Sequence, residues 1–412
     1  MIDLRAARAE PEAFRAALAR KGAEESFDAL LGADARWREA NTCREDARAE
    51  QKRLGKPQAQ EEIERAKELK AELGRLDEAL AAAEAERQEL WDRVPNQPDP
   101  SAPDGFTEEA AVELRRVGEP RGLGFEPLDH LELATRLRWI DMERGARLSG
   151  SRFAYRMRDA ALIELALYRF ALDRLVGKGF VPVLPPVLVR EQAMYGTGFL
   201  PTDDVNIYFV ERDELYLTGT SEVALAGLHM DETVDGNDLP LRYTGYSTCF
   251  RREAGAAGKD TRGIFRVHQF DKVEMFAFAR PEASADEHEY LLSVEEELVQ
   301  ELGIPYRVVN VAAGELGASA TKKYDIEAWF PGQGRYREIT SCSNTTDYQS
   351  RRLGIRFRGE RGTELVHTLN GTAMTARALI AIVENFQEAG GSVAVPPVLE
   401  QFGAPRRTDP PA

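Results

Sequence analysis

The sequence predicts an α+β protein in which an N-terminal antiparallel helical coiled-coil arm precedes a domain built on a mostly antiparallel β-sheet flanked by helices. Residues 1–95 are rich in Ala, Glu, Lys and Arg and contain little Gly or Pro, which is typical of long helices. Prolines then cluster at 94–105, as they do in linkers. Beyond them, strand-like runs alternate with helical stretches, which indicates an α+β domain. We therefore predict an arm domain at 1–95, a linker at 96–115 and a second domain at 116–412.

Hydrophobic residues in the second half of the arm recur at alternating spacings of four and three, the signature of a coiled-coil seam. The seam runs through Leu69, Leu73, Leu76, Leu80, Ala83, Leu90 and Val94 and is broken at Arg87. An earlier helix is predicted at 27–54, and the turn Gly55-Lys56-Pro57 should fold the two helices back antiparallel over about 40–50 Å. The Lys and Arg side chains of the arm are interleaved with acidic ones. A packing or dimerisation hairpin therefore fits the pattern as well as a binding surface does.

Composition limits the classes of function. With 43% hydrophobic and 30% charged residues, the 412-residue chain has the composition of a soluble globular protein of two or three domains. It contains no run of about 18 apolar residues and begins with a charged segment, so we expect neither a membrane span nor a signal peptide. Cys43, Cys249 and Cys342 are far apart, which argues against disulfides and a cysteine-rich zinc site and favours the cytoplasm. The net charge of −16 argues against a nucleic-acid partner on average, although a local basic surface would suffice for one.

The elements of the second domain follow from its periodicity. We predict helices at 159–177 and 284–302, strands at 181–184 and 306–311, and a hairpin that pairs 207–209 with 216–218. The sequence has no G-x-x-x-x-G-K-[ST] phosphate loop. A nucleotide, if bound, would therefore be held by side chains on strands.

The segment 249–274 concentrates polar side chains and is predicted as a strand, a glycine-rich loop that ends at Gly263, and a second strand. Alternation places five side chains on one face of this second strand: Arg266, His268, Phe270, Lys272 and Glu274. A cation, an aromatic platform and a carboxylate together suit a phosphorylated ring compound that carries an amine or hydroxyl. An amphipathic hairpin with surface ion pairs explains the same pattern equally well.

Three further stretches carry candidate chemistry. Residues 217–222 place hydroxyls beside a carboxylate at a strand end, and 337–344 alternate a carboxylate with hydroxyls, hard oxygen ligands that suit magnesium. Residues 369–379 join a turn to an apolar helix, whose first two turns carry Arg377 in a good position for phosphate. Each pattern alone is also typical of turns whose Ser and Thr satisfy backbone groups, or of a surface arginine.

Together these motifs resemble those of a bacterial-type seryl-tRNA synthetase, a class II aminoacyl-tRNA synthetase, over essentially the whole chain. Residues 179–186 resemble the first class motif, 250–274 the second and 370–379 the third. The strings Thr-x-Glu, Arg-x-Glu, His-Gln-Phe-x-Lys-Val-Glu and Leu-Asn-Gly are all present, as is the arm. The resemblance implies a homodimer paired through the first motif, and ATP-dependent activation of L-serine to seryl-adenylate. It also implies transfer of serine to the 3′ end of tRNA(Ser), and by extension of tRNA(Sec), in the cytoplasm.

For ATP, the resemblance implies that Arg251 holds the α-phosphate, that Glu253 contacts the adenine amino group and that Phe270 stacks on the ring. Val267 would supply a backbone contact, Arg266 and Arg377 would bind the outer phosphates, and Glu338 and Ser341 would ligate Mg²⁺. The implied ATP set is Arg251, Arg252, Glu253, Arg266, Val267, Phe270, Glu338, Ile339, Thr340, Ser341 and Arg377. Its catalytic members are Arg251, Arg377 and Glu338, with Mg²⁺ as the metal and no zinc expected.

For serine, the resemblance implies a pocket formed by Thr220, Ser221, Glu222, Arg251, Glu274 and Thr372. Thr220 and Glu222 would take the ammonium group, while Glu274 and Thr372 would recognise the hydroxyl. The family often has Ser where this chain has Thr340 and Thr372, and both keep the hydroxyl. Adenylation needs no protein base because the serine carboxylate is already ionised, so His268 is interpreted as a structural histidine.

Three alternatives stay open on the sequence. They are another class II synthetase of the threonyl, prolyl or glycyl type, a synthetase-like ligase that charges a carrier other than tRNA, and a coiled-coil interaction protein. Only about 25 residues follow the third-motif helix, too few for the C-terminal anticodon-binding domain of the first group. A carrier ligase would usually lack the arm, and an interaction protein would not need three catalytic motifs.

Overall fold

A computed structural model describes residues 1–254, 260, 263–360 and 362–411 of the chain. These residues form two compact units, Met1–Pro98 and Asp99–Ala412. Among the helices of the described residues, none is both long and apolar enough to cross a membrane.

The first unit is helical. Its helices are α1 (Leu4–Ala9), α2 (Pro11–Ala19), α3 (Glu24–Leu54) and α4 (Gln60–Arg93). Helices α3 and α4 run antiparallel, as two ion pairs between them show. Arg36, near the start of α3, pairs with Glu86 near the end of α4 (2.7 Å). Glu50, near the end of α3, pairs with Arg65 near the start of α4 (2.7 Å). The chain reverses at Gly55, whose positive φ of 63° suits glycine.

The break in the coiled-coil seam at Arg87 has a structural reason. The Arg87 guanidinium lies over the Trp37 ring, 3.7 Å from its centre, and Nη1 lies 3.8 Å from Oδ1 of the fully buried Asp34. A buried carboxylate needs cationic partners, and Arg8 and Arg38 pair with Asp34 as well. Arg87 therefore stands where the seam would have a leucine, because its guanidinium is a cationic partner of the buried Asp34 carboxylate.

The helices of the second unit are α5 (His130–Arg136), α6 (Met142–Ser149), α7 (Asp159–Gly177), α8 (Glu191–Thr197), α9 (Glu222–Ala226), α10 (Ser284–Glu301), α11 (Tyr348–Leu353) and α12 (Ala376–Asn385). Its first nine strands are β1 (Val112–Val117), β2 (Ile140–Asp141), β3 (Tyr155–Arg156), β4 (Val181–Val183), β5 (Leu188–Val189), β6 (Tyr208–Val210), β7 (Leu215–Leu217), β8 (Thr233–Asp235) and β9 (Leu241–Phe250). The remaining strands are β10 (Gln269–Ala279), β11 (Tyr306–Asn310), β12 (Lys322–Phe330), β13 (Arg335–Thr346), β14 (Arg356–Gly359), β15 (Gly362–Leu365), β16 (His367–Thr375), β17 (Val393–Ala394) and β18 (Arg407–Thr408).

An eight-stranded sheet organises this unit in the order β1-β11-β12-β13-β16-β10-β9-β4. Its neighbouring strands are antiparallel except β4, which pairs with β9 in parallel. Helices α7, α10 and α12 pack on the central strands. Their apolar residues, such as Phe170 and Leu298, join strand residues such as Met275 and Ile326 in one buried core. The predicted fold class, a helical arm followed by a mostly antiparallel sheet flanked by helices, is confirmed.

Most predicted elements of the second unit agree with the structure. Helix α7 begins and ends where predicted, and the hairpin of β6 and β7 pairs Tyr208 with Leu217, one residue from the predicted ranges. Two local predictions are wrong. Residues 266–268 lie outside the strand because the His268 main chain bonds to the main chains of Arg152 (3.2 Å) and Arg251 (3.0 Å), so that β10 begins only at Gln269. The predicted turn at 369–371 lies within β16, where pairing with β10 and β13 on both sides overrides the local turn preference of Asn-Gly.

Candidate active site

A cavity of about 660 Å³ opens on the face of the large sheet. Thirteen of the residues predicted for ATP or serine line it: Thr220, Glu222, Arg251, Glu253, Arg266, Val267, Phe270, Glu274, Glu338, Ile339, Ser341, Thr372 and Arg377. They come from segments as far apart as 220 and 377, yet the sheet brings them into one volume. The predicted residues Ser221, Arg252 and Thr340 are not part of the cavity lining.

A β-bulge places Glu338 in the cavity. Thr340 faces Ile326 of β12 while Glu338 faces Glu327, so Ile339 is an extra residue on β13. Strict alternation would put Glu338 and Thr340 on the same face of the strand. The extra residue moves Glu338 to the face that carries Ser341, so both oxygen donors line the cavity.

Thr340 lies on the opposite, helix-covered face of β13. Its hydroxyl donates a hydrogen bond to Oε2 of Glu295 on α10 (3.1 Å), and both side chains are buried. Burial raises the pKa of Glu295 well above its ordinary value. The Thr340 side chain therefore contacts the layer beneath the sheet instead of the cavity.

A second bulge shapes the other side of the cavity. On β16, Met374 faces Val273 and Thr372 faces Glu274, so Ala373 is the extra residue. Thr372 and Glu274 are thus paired across neighbouring strands and both line the cavity. A hydroxyl and a carboxylate at paired positions can contact one small polar group from two sides.

Four buried polar side chains form one end of the cavity: Thr220, Glu222, Lys272 and Glu274. Thr220 Oγ1 donates to Oε2 of Glu274 (3.1 Å), and the same oxygen contacts Lys272 Nζ. Burial, and secondarily the charge of Glu274, raise the pKa of Glu222 to about 7. This end offers carboxylates and hydroxyls to a small ligand that carries an ammonium group and a hydroxyl.

Arg251 lies between this polar end and the rest of the cavity. Its Nε donates to the carbonyl oxygen of Gly219 (3.1 Å), and its guanidinium lies 5.2 Å from the centre of the Phe270 ring. Arg251 is largely exposed, and its remaining N–H groups can bind anionic groups from either direction.

Two arginine–carboxylate pairs mark the other end of the cavity. Arg266 Nη1 donates to Oε2 of Glu253 (2.6 Å), and Arg377 Nη1 donates to Oε1 of Glu338 (3.0 Å) and to its carbonyl oxygen (3.1 Å). Burial would raise the pKa of Glu338, but Arg377, Lys323 and Arg251 outweigh it and lower this pKa to about 2. Glu338 is therefore ionised at neutral pH, beside cations that suit phosphate groups.

The predicted residues outside the cavity have other partners. Ser221 Oγ donates to the carbonyl oxygen of Gly245 (3.4 Å), and the main-chain N–H of Arg252 donates to the carbonyl oxygen of Asn206 (2.9 Å). His268 Nδ1 lies 2.9 Å from the carbonyl oxygen of Arg251, a contact that ties two loops together. The glycine-rich loop predicted before Gly263 lies largely at 255–259 and 261–262, outside the described residues.

Sequence reasoning assigned no role to three residues of this site: Lys323, Asn370 and Gln349. Lys323 and Asn370 line the cavity, and Lys323 Nζ lies 3.0 Å from Oδ1 of Asp325. A lysine two positions from an aspartate in an alternating strand is a signal that could have found this pair. Gln349 lies behind Glu222, and a buried polar residue in a helix gives no such signal. In the part of the chain that the structure describes, no cluster of three or more His, Cys, Asp or Glu side chains could hold a metal.

Two family models match this chain. The model described as the seryl-tRNA synthetase N-terminal domain matches residues 1–98, and that of the tRNA synthetase class II core domain (G, H, P, S and T) matches 208–386. The serine–tRNA ligase of Corynebacterium glutamicum is 49% identical over 411 residues, which are 98% of this chain and 97% of that protein.

Two solved structures have the same fold. The seryl-tRNA synthetase from Pyrococcus horikoshii, complexed with ATP, superposes with a TM-score of 0.95 at 41% identity and covers 100% of both chains. The cytoplasmic serine–tRNA ligase from Naegleria fowleri, in complex with AMP, superposes with a TM-score of 0.88 at 33% identity, over 98% of this chain and 96% of that one.

Proposed function

Because the chain belongs to the seryl-tRNA synthetase family, it activates serine with ATP and charges tRNA, and we propose that the cavity described above is where seryl-adenylate forms. One observation carries this assignment. A single volume joins a pocket for an ammonium and a hydroxyl to a run of cations for phosphates, with Arg251 between them. An adenylation site needs this order, because the amino acid carboxylate must meet the α-phosphate.

The polar end of the cavity is the proposed serine site. Glu222 and Thr220 receive the ammonium group, and Glu274 and Thr372, paired across β10 and β16, receive the side-chain hydroxyl. Alanine would leave these buried polar groups without a partner. A site of this kind can discriminate by about 10⁴-fold without editing.

The remainder of the cavity is the proposed ATP site. Phe270 offers its ring to the adenine and Glu253 its carboxylate to the adenine amino group, while Arg266 and Arg377 face the outer phosphates. Arg266 and Arg377 are each held by a carboxylate, at 2.6 and 3.0 Å. These pairs fix the guanidinium positions before the nucleotide binds, which reduces the ordering cost of binding.

The reaction needs positioning and charge neutralisation. The serine carboxylate oxygen forms a bond to the α-phosphorus as the bond to pyrophosphate breaks, and no proton has to be removed. Arg251 contacts both reacting anions and offsets their repulsion. No catalytic histidine is required, in agreement with the contact of His268 to a main-chain carbonyl.

Mg²⁺ is the metal that we propose for this site. Glu338 and Ser341 offer a carboxylate and a hydroxyl on the same face of β13, the hard oxygen donors that Mg²⁺ prefers together with phosphate oxygens and water. The low pKa of Glu338 keeps its carboxylate ionised across the neutral range. When bound, the ion would neutralise phosphate charge.

The arm is the proposed tRNA-binding element, with tRNA(Ser) and tRNA(Sec) as partners. Lys52, Arg53 and Lys56 are exposed at the tip, and among the described residues none of them forms an ion pair. Cations at the end of a long hairpin can bind RNA phosphates by shape and charge. The related serine–tRNA ligases support tRNA over another carrier as the acceptor.

We further propose that the enzyme is a cytoplasmic homodimer. Leu162, Leu165 and Val176 are exposed on α7, and Val181 and Leu184 are exposed in the first-motif segment. Several exposed large apolar side chains in this part of the chain fit a subunit interface. Cys43, Cys249 and Cys342 are unpaired, as expected in a reducing compartment.

The proposed function is tested by serine-dependent ATP–pyrophosphate exchange. The wild-type enzyme should exchange with serine alone among the amino acids, and Arg251→Ala should reduce the rate at least a hundredfold, the loss typical of removing one preorganised charge donor. Arg212→Ala, an exposed arginine in the turn between β6 and β7, is the matched control and should exchange normally. Near wild-type exchange by Arg251→Ala would remove this cavity from the reaction.

A further inference from the structure

A buried hydrogen-bond network holds the Glu222 carboxylate from a residue that does not line the cavity. Its central residue is Gln349 on α11, which is fully buried. Gln349 Nε2 donates to Oε1 of Glu222 (2.7 Å) and to the carbonyl oxygen of Thr197 (3.3 Å). The Gln349 oxygen Oε1 accepts from the Thr368 hydroxyl (2.8 Å). Both N–H donors and the carbonyl oxygen of this amide are thus engaged.

The network determines which way the amide points. The Thr197 carbonyl oxygen can only accept, so the nitrogen of Gln349 must face it, and the same nitrogen then faces Glu222. Thr368 gives its single hydroxyl proton to Gln349, and Thr345 supports it by donating to the Thr368 carbonyl oxygen (2.8 Å). All of these side chains are buried. Gln349 therefore presents a fixed N–H donor to the carboxylate.

Glu222 needs such a donor because its surroundings disfavour its charge. Burial opposes ionisation, and Glu274 on β10 adds a like charge, whereas Lys272 on the same strand and Arg251 after β9 act in the opposite direction. Among the residues that the structure describes, Gln349 is the one whose side chain donates a hydrogen bond to the Glu222 carboxylate. A hydrogen bond to a charged group contributes more than one between neutral groups.

We propose that Gln349 is a positioning residue for serine: from behind the pocket its amide orients the Glu222 carboxylate, so that this group can receive the ammonium group of the substrate. Gln349 does not touch the cavity itself. It acts through Glu222, so its effect should be confined to the amino acid and absent for the nucleotide. The inference rests on the proposed function, in which Glu222 belongs to the serine site.

A purely structural role for Gln349 makes a different prediction. Gln349 also joins α11 to α8 through the Thr197 carbonyl, and its loss would loosen this packing whatever the pH. Loss of the donor to Glu222 would instead raise the pKa of Glu222 further. The defect in serine use would then be largest at low pH and shrink as rising pH ionises Glu222.

The experiment compares Gln349→Met with wild type in ATP–pyrophosphate exchange between pH 6.5 and 8.5. Methionine keeps the side-chain length and removes the amide. We expect the KM for serine to rise about ten- to a hundredfold at pH 7, because a change of this size corresponds to the loss of one hydrogen bond to a charged group. The rise should be smaller at pH 8.5. The KM for ATP should stay within about twofold of wild type.

Gln387→Met is the matched control, because Gln387 is an equally buried glutamine that bonds to the main chain of Leu128 and Glu384 and lies outside the cavity lining. It should lower thermal stability without changing the KM for serine. If Gln349→Met does not fold, Thr368→Val removes the bond that fixes the amide and should give a smaller defect of the same pH dependence.

Two results would overturn the inference while leaving the proposed function intact. One is an unchanged KM for serine in the folded variant, and the other is a rise of equal size at every pH or for both substrates. Failure of the wild-type enzyme to exchange with serine would instead refute the proposed function and, with it, this inference.

Discussion

The pair of Lys272 and Glu274 offers a test that separates stability from substrate recognition. Their side chains are 7% and 2% exposed and contact each other directly, and Glu274 also accepts from Thr220 (3.1 Å). The substitution Glu274→Gln keeps the shape and one hydrogen-bonding oxygen but removes the charge. It leaves the Lys272 ammonium buried without its counter-charge, which costs about 3–5 kcal/mol in comparable buried pairs. We expect the free energy of unfolding to fall by roughly this amount.

The same substitution should weaken the recognition of serine. A hydrogen bond from the serine hydroxyl to a charged carboxylate contributes about 1.5–3 kcal/mol, which corresponds to about ten- to a hundredfold in kcat/KM. The ratio of kcat/KM for serine over alanine should fall by this factor, because alanine does not make the bond. The KM for ATP should change little, since Glu274 lies at the other end of the cavity from Arg266 and Arg377.

The double variant Lys272→Met, Glu274→Gln distinguishes the two effects. It removes both charges, so urea unfolding should show most of the lost stability restored, while the serine-to-alanine ratio stays low. ATP–pyrophosphate exchange with each amino acid measures the ratio. A double variant that regains discrimination would show that Glu274 acts only by balancing Lys272, and that the hydroxyl is recognised elsewhere.

Four further results are expected. Because the raised pKa of Glu222 means that it loses its charge as pH falls through about 7, the KM for serine should rise about tenfold between pH 8 and pH 6, and a flat KM over this range would contradict this. Glu338→Gln should raise the Mg²⁺ concentration needed for half-maximal exchange. In the wild-type enzyme this Mg²⁺ concentration should not change between pH 6 and 8, because the pKa of Glu338 is about 2. Replacing residues 35–87 by a Gly/Ser turn should preserve ATP–pyrophosphate exchange and abolish tRNA charging. In the intact enzyme, the affinity for tRNA should fall as the salt concentration rises. Full tRNA charging by the armless variant would show that the arm only has a packing role. Light scattering should give a dimeric mass that Leu165→Glu reduces to a monomer, and a monomeric wild type would exclude the proposed interface.

Periodic patterns predicted the elements of this chain well where burial is one-sided. Helix α7 was predicted to the residue because apolar residues such as Ile163, Leu167 and Phe170 form a continuous buried face. The thirteen cavity residues were found through motif resemblance, since no rule of spacing predicts that 220 and 377 meet. Their roles in binding stay predictions until the variants above are measured.

Residues that act through tertiary partners could not be predicted from the sequence. Arg87 breaks a heptad, and only the fold shows that it stacks on Trp37 and serves the buried Asp34. Gln349 is one polar residue in a short helix, and its importance depends on Glu222, more than a hundred residues away. Contacts at such separation leave no local signal, because each residue alone satisfies the ordinary preferences of its own segment.

The irregular register of β13 and β16 determines which of their side chains line the cavity. Each bulge adds one residue to a strand, so the side chains beyond it point to the opposite face of the sheet. Because Ile339 is such an extra residue, Glu338 lines the cavity while Thr340 does not. Ala373 is the extra residue next to Thr372 on β16. A third, at Thr345, places a hydroxyl against Thr368 behind Gln349. Strict alternation therefore fails at the strands that carry the site. At these strands, bulges change the face on which a side chain lies, and so bring together side chains that a regular strand would place on opposite faces. Thr340, which the resemblance assigns to the ATP set, lies on the other side of the bulge at Ile339, where its hydroxyl contacts the buried Glu295.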